Sequence, residues 1–225
     1  MEKIAVLLAE DHQIVREGFR SLLQHERDIE VVGEAENGRQ AIALVKKLRP
    51  AVVVMDIAMP LLNGLEATRQ IRKEFPDIKV IILSAHRDDA YVEQVIELGA
   101  SGFLLKQSSS HNLATAIREA QKGATFFSPD VAKRLRSRDQ KSQDREGNFK
   151  KKSNHLSSRE MEVLQLIAEG KPNKQVAAEL GVSFKTVDKH RQHLMGKLDI
   201  HDIAGLTRYA IAEGIIQSEV RVTIT

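Results

Sequence analysis

Hydrophobic and polar positions alternate between two spacings along the first 125 residues. Short apolar runs, typical of strands buried on both faces of a parallel sheet, lie at 3–9, 30–35, 51–56, 79–84 and 102–106. Between them, apolar residues recur at helical spacing near 12–24, 38–49, 63–75, 88–98 and 109–122. Five strand–helix units in this order predict an α/β domain, residues 1–125, with a doubly wound, five-stranded parallel sheet and right-handed crossovers.

The pattern changes after this domain. Residues 126–155 are predicted to be a linker, because most of them are polar or charged and cannot form a core. A short helix is expected near 129–136, where a proline stands at the first helical position. From 156 to 216 the apolar spacing is helical throughout and predicts an all-α domain of four helices. The ending at 217–225 alternates like a strand and has no assigned role.

The composition narrows the class of protein. At 225 residues the chain has room for two ordinary domains, and its 42% hydrophobic and 29% charged residues are typical of soluble proteins. It has no cysteine, which excludes disulfides and thiolate metal sites. No apolar run approaches the roughly 20 residues of a membrane span. We therefore expect a cytoplasmic protein with no membrane contact.

Charge is distributed unevenly between the two halves. Residues 1–127 carry 16 Lys and Arg against 18 Asp and Glu, whereas residues 128–225 carry 18 against 13. The excess lies in 128–153, which hold nine basic and four acidic residues. A basic second half makes nucleic acid a candidate partner.

Polar and charged side chains follow four of the five predicted strands. Glu10 and Asp11 follow the first, Asp56 ends the third, Ser84 ends the fourth and Lys106 ends the fifth. Because the carboxyl ends of parallel strands meet at one edge of a sheet, we expect these groups to converge. Clustered carboxylates favour a bound cation, and hard oxygen ligands suit Mg²⁺. The set predicts a phosphoryl-transfer site with an aspartate as nucleophile.

Other phosphate chemistries fit the sequence less well. No glycine-rich phosphate-binding loop follows any predicted strand. Phosphatases with an aspartyl nucleophile usually carry a second aspartate two residues later, and here that position is Ala58. A Mg²⁺-dependent aspartyl-phosphate phosphohydrolase is therefore the alternative, and it would release phosphate from a small ester over many turnovers.

Residues 1–125 resemble the receiver domain of bacterial two-component response regulators, which has a flavodoxin-like fold. The resemblance rests on "EDH" after the first strand, "MDIAMPLLNG" around Asp56, "LSA" at 83–85 and "GFLLK" at 102–106. It implies that Asp56 accepts a phosphoryl group from a sensor histidine kinase. It also implies that Asp11, Asp56 and the backbone carbonyl of Ala58 hold Mg²⁺, with Glu10 acting through water.

The same resemblance implies roles for the last two strands. Lys106 would pair with a phosphoryl oxygen, and Ser84 would move to hydrogen-bond the phosphate. Phe103 would swing inward behind the serine. Gln107 departs from the acidic residue or proline that is frequent after the lysine, which concerns the following loop and leaves the chemistry intact.

The all-α domain carries a second pattern. Ser157 with Glu160 three residues later is typical of a capped helix start. Two helices at 173–181 and 183–198 are joined by a tight glycine turn, as in a helix-turn-helix, which delivers its second helix to the major groove of DNA. That second helix has an apolar stripe, beginning at Phe184, opposite a mostly basic face.

Residues 156–198 closely resemble the LuxR-type helix-turn-helix, with the motif at about 173–192, and the whole chain resembles a NarL/FixJ-family response regulator. The DNA-contacting positions that the resemblance implies are Lys174, Lys185, Thr186, Asp188, Lys189 and Gln192. Asp188 stands where lysine is common, so it must accept from a cytosine, pair with Lys185 or repel phosphates. The operator sequence therefore does not transfer from relatives. The last helix would form the contact of a homodimer.

These patterns predict a transcription regulator whose phosphorylation at Asp56 controls dimerisation and binding to double-stranded promoter DNA, at paired half-sites. It would not be an enzyme beyond phosphoryl transfer to itself and hydrolysis at Asp56. A regulator that ignores phosphate and works through protein contacts is the third reading, although the intact acidic set argues against it.

Overall fold

The first domain is built on a parallel sheet in the computed structural model, which describes residues 3–85, 89–107, 110–127 and 156–216. The strands are β1 (Ile4–Ala9), β2 (Ile29–Ala35), β3 (Val52–Asp56), β4 (Lys79–Ser84), β5 (Gly102–Leu105) and β6 (Phe126–Phe127). They lie in the order β2-β1-β3-β4-β5-β6, with every neighbouring pair parallel. Every residue of β3 is buried, which explains why its sequence is continuously apolar until Asp56.

Helices cover both faces of this sheet. They are α1 (Gln13–Gln24), α2 (Gly38–Leu48), α3 (Gly64–Glu74), α4 (Asp89–Glu97) and α5 (Ser110–Gln121). One buried cluster packs α2, α3 and α4 on one face, and a second packs α1 and α5 on the other. This arrangement confirms the doubly wound α/β fold predicted from the alternation of strand and helix patterns.

The sheet has one strand more than the sequence predicted. Phe126 pairs with Gly102 at the sheet edge, so β6 extends the first domain two residues into the segment expected to be linker. A side chain at position 102 would approach the carbonyl oxygen of Phe126 to 2.7 Å, and the glycine removes that obstacle. The prediction was wrong here because a two-residue strand is too short to show an alternation of apolar and polar positions.

The second domain is a compact set of four helices, α6 (Ser158–Ala168), α7 (Asn173–Leu180), α8 (Phe184–Leu198) and α9 (Ile203–Ala212). The predicted cap of the first is confirmed, since Ser157 and Glu160 form a reciprocal capping box. Gly181, with φ +63°, ends α7 and makes the turn to α8. Among the described helices, none is long and apolar enough to cross a membrane.

The two domains touch along α6. Its side chains meet the loop between β3 and α3, residues 57–63, which is called the β3–α3 loop below. At the edge of this contact, Arg39 on α2 forms an ion pair of 3.0 Å with Glu162. Leu61 of the loop packs against the core of the second domain.

Three segments named in the sequence analysis lie outside the described residues. They are the helix predicted near 129–136, the remainder of the predicted linker to 155, and the ending at 217–225. These expectations stay predictions.

Candidate functional site

The carboxyl ends of β1, β3 and β5 bring three charged side chains together. Nζ of Lys106 lies 2.7 Å from Oε2 of Glu10 and 2.9 Å from Oδ2 of Asp56. It also donates a hydrogen bond of 2.9 Å to Oε1 of Glu10. Both acids are almost fully buried, at 1% exposed for Glu10 and 2% for Asp56. The structure thus places these three groups at one edge of the sheet, as its topology predicts.

Burial and charge determine the protonation of this cluster. Burial raises the pKa of Asp56 to about 7, with a further rise from Glu10 and an opposing effect from Lys106. Burial alone would lower the pKa of Lys106, but the charges of Asp56 and Glu10 outweigh it and raise that pKa. The lysine therefore stays charged, while the ionised form of Asp56 lacks the compensation that water would give it.

The donor set fits a hard divalent cation. Oε2 of Glu10 and Oδ2 of Asp56 are buried, and their partner among the described residues is the ammonium group of Lys106, at 2.7 and 2.9 Å. Among the described residues, the carbonyl of Ala58 accepts no backbone hydrogen bond outside helices and strands. Asp11 stands at the rim of the same cluster with its side chain 24% exposed. Carboxylate and carbonyl oxygens that lie close together, with one ammonium group shared by two of the carboxylates, are the kind of ligands that Mg²⁺ prefers.

His12 completes the cluster, and sequence reasoning gave it no role. Its Nδ1 lies 2.9 Å from Oδ1 of Asp11 and 3.3 Å from Oε1 of Glu10. The charge of Asp11, followed by that of Glu10, raises the pKa of His12 against the effect of burial. The signal in the sequence that could have identified His12 is its position directly after two acidic residues. The motif "EDH" was used only as part of the resemblance to a receiver domain.

Arg16 fixes the turn that presents the acids. It is buried within the first part of α1, and its Nη1 donates a bond of 2.6 Å to the carbonyl oxygen of Glu10. Its other nitrogens reach Glu34 near the end of β2 and Glu36 just after that strand. A buried arginine that ties two loops to one helix holds the backbone of the site in place.

Helix α3 begins in contact with the candidate nucleophile. A Cβ at Gly64 would overlap the carbonyl oxygen of Asp56, so only glycine permits this approach. Asn63 caps the helix, its side chain accepting from the N–H of Glu66 at 2.9 Å. The β3–α3 loop is therefore short and held at both ends.

The two residues with implied switch roles are both buried. Ser84 is 3% exposed at the end of β4, and its carbonyl accepts the N–H of Lys106 at 2.8 Å. Phe103 is fully buried in the cluster that also contains Met55 and Ile82. The ring is thus already inside the domain, and the inward swing implied by the resemblance would have to start from a different position.

The implied DNA contacts divide by exposure. Lys174 on α7 is exposed, as are Lys185, Lys189 and Gln192 on α8, while Thr186 and Asp188 are half-buried. On the opposite side of α8, Val187 and Leu194 are fully buried in the domain core. The face selected by helical periodicity is therefore the solvent-facing side of α8.

Asp188 has a partner within its own helix. Its Oδ2 accepts a hydrogen bond of 3.0 Å from Nε2 of Gln192, one turn later, instead of pairing with Lys185. The bond orients the amide of Gln192 and leaves its oxygen available. The acid thus positions a neighbouring side chain on the same face.

Phe184 does not belong to the buried stripe that the sequence predicted. It is 55% exposed, although Val187 one turn later is fully buried. Phe184 is the first residue of α8, and the small core of four helices does not extend that far. The periodic pattern is correct for the helix but does not show where the core ends.

Comparisons with known proteins agree with both domains. The family model described as "Response regulator receiver domain" matches residues 6–118, and that described as "Bacterial regulatory proteins, luxR family" matches 154–210. The transcriptional regulatory protein DegU of Brevibacillus brevis is 37% identical over 211 residues, covering 89% of each chain. The response regulator VraR of Staphylococcus aureus is 36% identical over 217 residues, which is 95% of this chain and 99% of VraR.

A solved structure matches over both domains. The response regulator RcsB of Salmonella typhimurium has a TM-score of 0.57 and 30% identity, covering 94% of this chain and 100% of RcsB. RcsB has also been solved as a complex with DNA, with a TM-score of 0.58 and 30% identity, covering 92% and 98%.

Proposed function

The chain belongs to the NarL/FixJ family of two-component response regulators, with a receiver domain and a LuxR-type DNA-binding domain, and from this premise we propose that phosphorylation of Asp56 controls its binding to promoter DNA. The phosphoryl donor is a sensor histidine kinase. The chemistry is directed at the protein itself, through transfer to Asp56 and later hydrolysis.

The contact between Asp56 and Lys106 carries the proposal. A carboxylate that is 2% exposed has an ammonium group 2.9 Å away, and that group is the partner of its Oδ2 among the described residues. Such a carboxylate is desolvated and therefore reactive, and the ammonium group can balance the negative charge of an incoming phosphoryl group. If the ion pair between Asp56 and Lys106 had only a structural role, a second buried acid next to the same lysine, Glu10, would add little stability.

The transfer can be written with these groups. An oxygen of Asp56 attacks the phosphorus of a phosphohistidine whose other ring nitrogen carries a proton, a P–O bond forms, and the P–N bond breaks as neutral imidazole leaves with the electron pair on its nitrogen. Lys106 then pairs with a phosphoryl oxygen, and Ser84 at the end of β4 donates a hydrogen bond to another. Burial of the cluster limits the access of water to the acyl phosphate.

Magnesium belongs to this proposal as the cofactor. Asp11, Asp56 and the carbonyl of Ala58 would hold it, and Glu10 would act through a water molecule. When bound, the ion supplies charge neutralisation at the phosphoryl oxygens. The buried carboxylates of Glu10 and Asp56, which share the ammonium group of Lys106, support a second cation at this place.

DNA binding is assigned to the solvent face of α7 and α8. Lys189, Gln192 and the Asp188 that orients it would read base edges, while Lys174, Lys185 and Thr186 would contact phosphates. The complex of RcsB with DNA supports a duplex as the partner. We further propose a homodimer on paired half-sites, for which the exposed Ile203 and Ile211 of α9 offer an apolar surface. The cytoplasmic location expected from the sequence stays a prediction.

Labelling of one aspartate tests the proposal. With Mg²⁺ and a radioactive acyl phosphate, the parent should take up one phosphoryl group per chain, and Asp56→Asn should take up none. Asp77→Asn, a change of the same type at an exposed position, is the matched control and should label like the parent. Mg²⁺-dependent labelling that persists in Asp56→Asn would disprove the assignment, and release of phosphate over many turnovers would favour a hydrolase.

A further inference from the structure

The β3–α3 loop joins the candidate phosphorylation site to the DNA-binding domain. It starts directly after Asp56 and ends at Asn63, the cap of α3. Between these points its backbone is held by two side chains of the second domain, Gln165 and Glu169. The hydrogen bonds that these two residues make to the loop are called the docking contact below.

Gln165 pairs with the loop as a peptide group would. Its Oε1 accepts the N–H of Asn63 at 2.8 Å, and its Nε2 donates to the carbonyl of Met59 at 2.9 Å. Gln165 is 1% exposed, so water does not replace these bonds while the domains are docked. A buried donor or acceptor left without its partner costs about 1–3 kcal/mol, which makes the amide sensitive to any shift of the loop.

Glu169 extends the contact to the middle of the loop. Its Oε1 accepts the N–H of Leu61 at 3.0 Å and the Nε2 of Gln165 at 2.8 Å. The N–H groups of Leu61 and Asn63 therefore both donate to side chains of the second domain.

The backbone of Leu61 is strained, and the second domain holds it. Its φ is +66°, in the left-handed region that a leucine seldom adopts. Such a conformation costs roughly 1–3 kcal/mol and persists only where the surroundings fix it. Here the surroundings are the carboxylate of Glu169 and the apolar core of the second domain, against which the side chain packs.

The docking contact is close to the chemistry in sequence and in space. Met59, whose carbonyl Gln165 holds, directly follows Ala58, whose carbonyl is a proposed ligand of Mg²⁺. Gly64, at the far end of the loop, touches the carbonyl oxygen of Asp56. A change of the backbone torsions at Ala58 that is not compensated at Met59 would also displace the Met59 carbonyl that Gln165 holds.

We propose that Gln165 is a positioning residue for the phosphorylation site, acting from the DNA-binding domain. By holding Met59 and Asn63 it keeps the β3–α3 loop in the arrangement of the unphosphorylated receiver. Loading of Asp56 and docking of α6 therefore oppose each other, and by linkage each weakens the other by the same factor. This inference rests on the function proposed above and names the route by which that site is regulated.

The docking contact does not cover the proposed DNA-reading side chains. Lys185, Lys189 and Gln192 are exposed in the docked arrangement that the structure describes. Release of α6 therefore changes how the second domain is placed relative to the receiver, and with it the spacing of two domains on paired half-sites.

Amide exchange in the full-length chain tests the contact. In Gln165→Ala the N–H groups of Leu61 and Asn63 should exchange with solvent at least about fivefold faster than in the parent, since both lose a buried acceptor or its support. Gln175→Ala removes the same side chain at an exposed position of α7 and is the matched control. Leu61→Ala removes the apolar part of the contact from the receiver side and leaves the sequence of the helical domain unchanged. It should therefore weaken the docking and accelerate the exchange at Asn63 as well.

Binding of Mg²⁺ with beryllium fluoride, a stable mimic of the phosphoryl group, tests the coupling. The parent should show faster exchange at Leu61 and Asn63 when loaded, and Gln165→Ala and Leu61→Ala should bind the mimic roughly 5-fold or more tightly, the lower range of measured couplings. A merely structural role for Gln165 would leave that affinity unchanged.

The remaining outcomes distinguish between failure of the docking contact, of the coupling and of the proposed function. Unaltered exchange in Gln165→Ala would overturn the docking contact. Faster exchange with the parent's affinity for the mimic would overturn the coupling alone. If the parent binds the mimic no better than Asp56→Asn, the proposed function fails together with the coupling, while the exchange data still report on the docking contact.

Discussion

Asp56 is costly to the folded protein in its metal-free form. Its ionised form lies beside a second buried acid, and among the described residues Lys106 is the cation that compensates it directly. Burial raises its pKa to about 7, so the folded chain holds a proton that the unfolded chain releases at a lower pH. Stability that depends on this proton is present below the unfolded pKa and is lost as the pH rises through the folded one.

Asp56→Asn should therefore stabilise the metal-free receiver at high pH. Above pH 8 the gain can reach about 4 kcal/mol, the equivalent of a pKa raised by about three units, and near pH 4 it should be small. Lys106 keeps Glu10 as its partner in the variant, so no charge is stranded. Urea unfolding of the receiver at both pH values, without Mg²⁺, measures the effect. A gain of equal size at both pH values, or an equal gain from the exposed Asp77→Asn, would contradict the charge explanation.

We expect the residue two positions after Asp56 to affect how long the proposed acyl phosphate lasts. Hydrolysis of an aspartyl phosphate requires a water molecule in line with the phosphorus, and a methyl group at Ala58 can neither orient nor deprotonate it. Ala58→Asn should speed dephosphorylation by about tenfold, equivalent to about 1.4 kcal/mol of barrier, whereas Ala43→Asn at an exposed position of α2 should not. His86, two residues after Ser84, is the other candidate to hold this water, and it lies outside the described residues.

Timing the loss of labelled phosphate in Mg²⁺ checks both positions. His86→Ala should slow the loss if the imidazole holds the water. An unchanged rate in Ala58→Asn together with no slowing in His86→Ala would refute this account of the lifetime.

At the scale of single residues, the sequence predicts which side chains meet when the order of the strands determines where those side chains lie. Glu10, Asp56 and Lys106 follow different strands, and parallel topology alone brings them together. Gln165 could not be found in the same way. It is one polar residue on an otherwise ordinary amphipathic helix, and its partners lie 102 and 106 residues earlier in the chain.

The elements follow local rules closely. Capping by Asn63 and Ser157 and the left-handed Gly181 set helix ends within a residue or two of the predicted bounds. The two errors, β6 and the burial of Phe184, both concern the margin of a domain. Periodicity shows which side of an element faces inward, but the extent of the core depends on what the rest of the chain covers.

Helix α8 makes a prediction that separates base reading from positioning. Lys189→Ala and Gln192→Ala should each cost on the order of 1–3 kcal/mol on the preferred site and relax the preference at one base pair. Lys174→Ala, on α7, should weaken binding to all sequences alike and reduce the salt dependence. Selection from a random duplex pool followed by titration measures both quantities. Identical behaviour of the three variants would mean that the docking face on DNA is wrong.

At the scale of the whole molecule, the excess of basic residues and the contact between the two domains belong to different segments of the chain. Residues 1–127 have two more acidic than basic residues, while 128–153 carry an excess of five basic ones. The receiver meets the second domain through α6, and Lys185, Lys189 and Gln192 of α8 remain exposed. We therefore expect nonspecific attraction to DNA to depend on a different segment of the chain from the reading of the DNA sequence by α8 and the phosphorylation of the receiver.

The lysines at 150–152 test this division. Each phosphate contact contributes roughly 0.9 to the slope of log K against log salt, so replacing the three by glutamine should flatten the slope by up to about three units. The preferred sequence should not change, because phosphate contacts carry no base information. The same replacement at Lys47, Lys73 and Lys122, which are exposed on the receiver, alters the net charge equally and is the control. Fluorescence titration of labelled duplex at several salt concentrations gives the slopes. If both triple variants flatten the slope alike, net charge alone is responsible; if neither does, the segment at 150–152 makes no phosphate contact and serves only to connect the two domains.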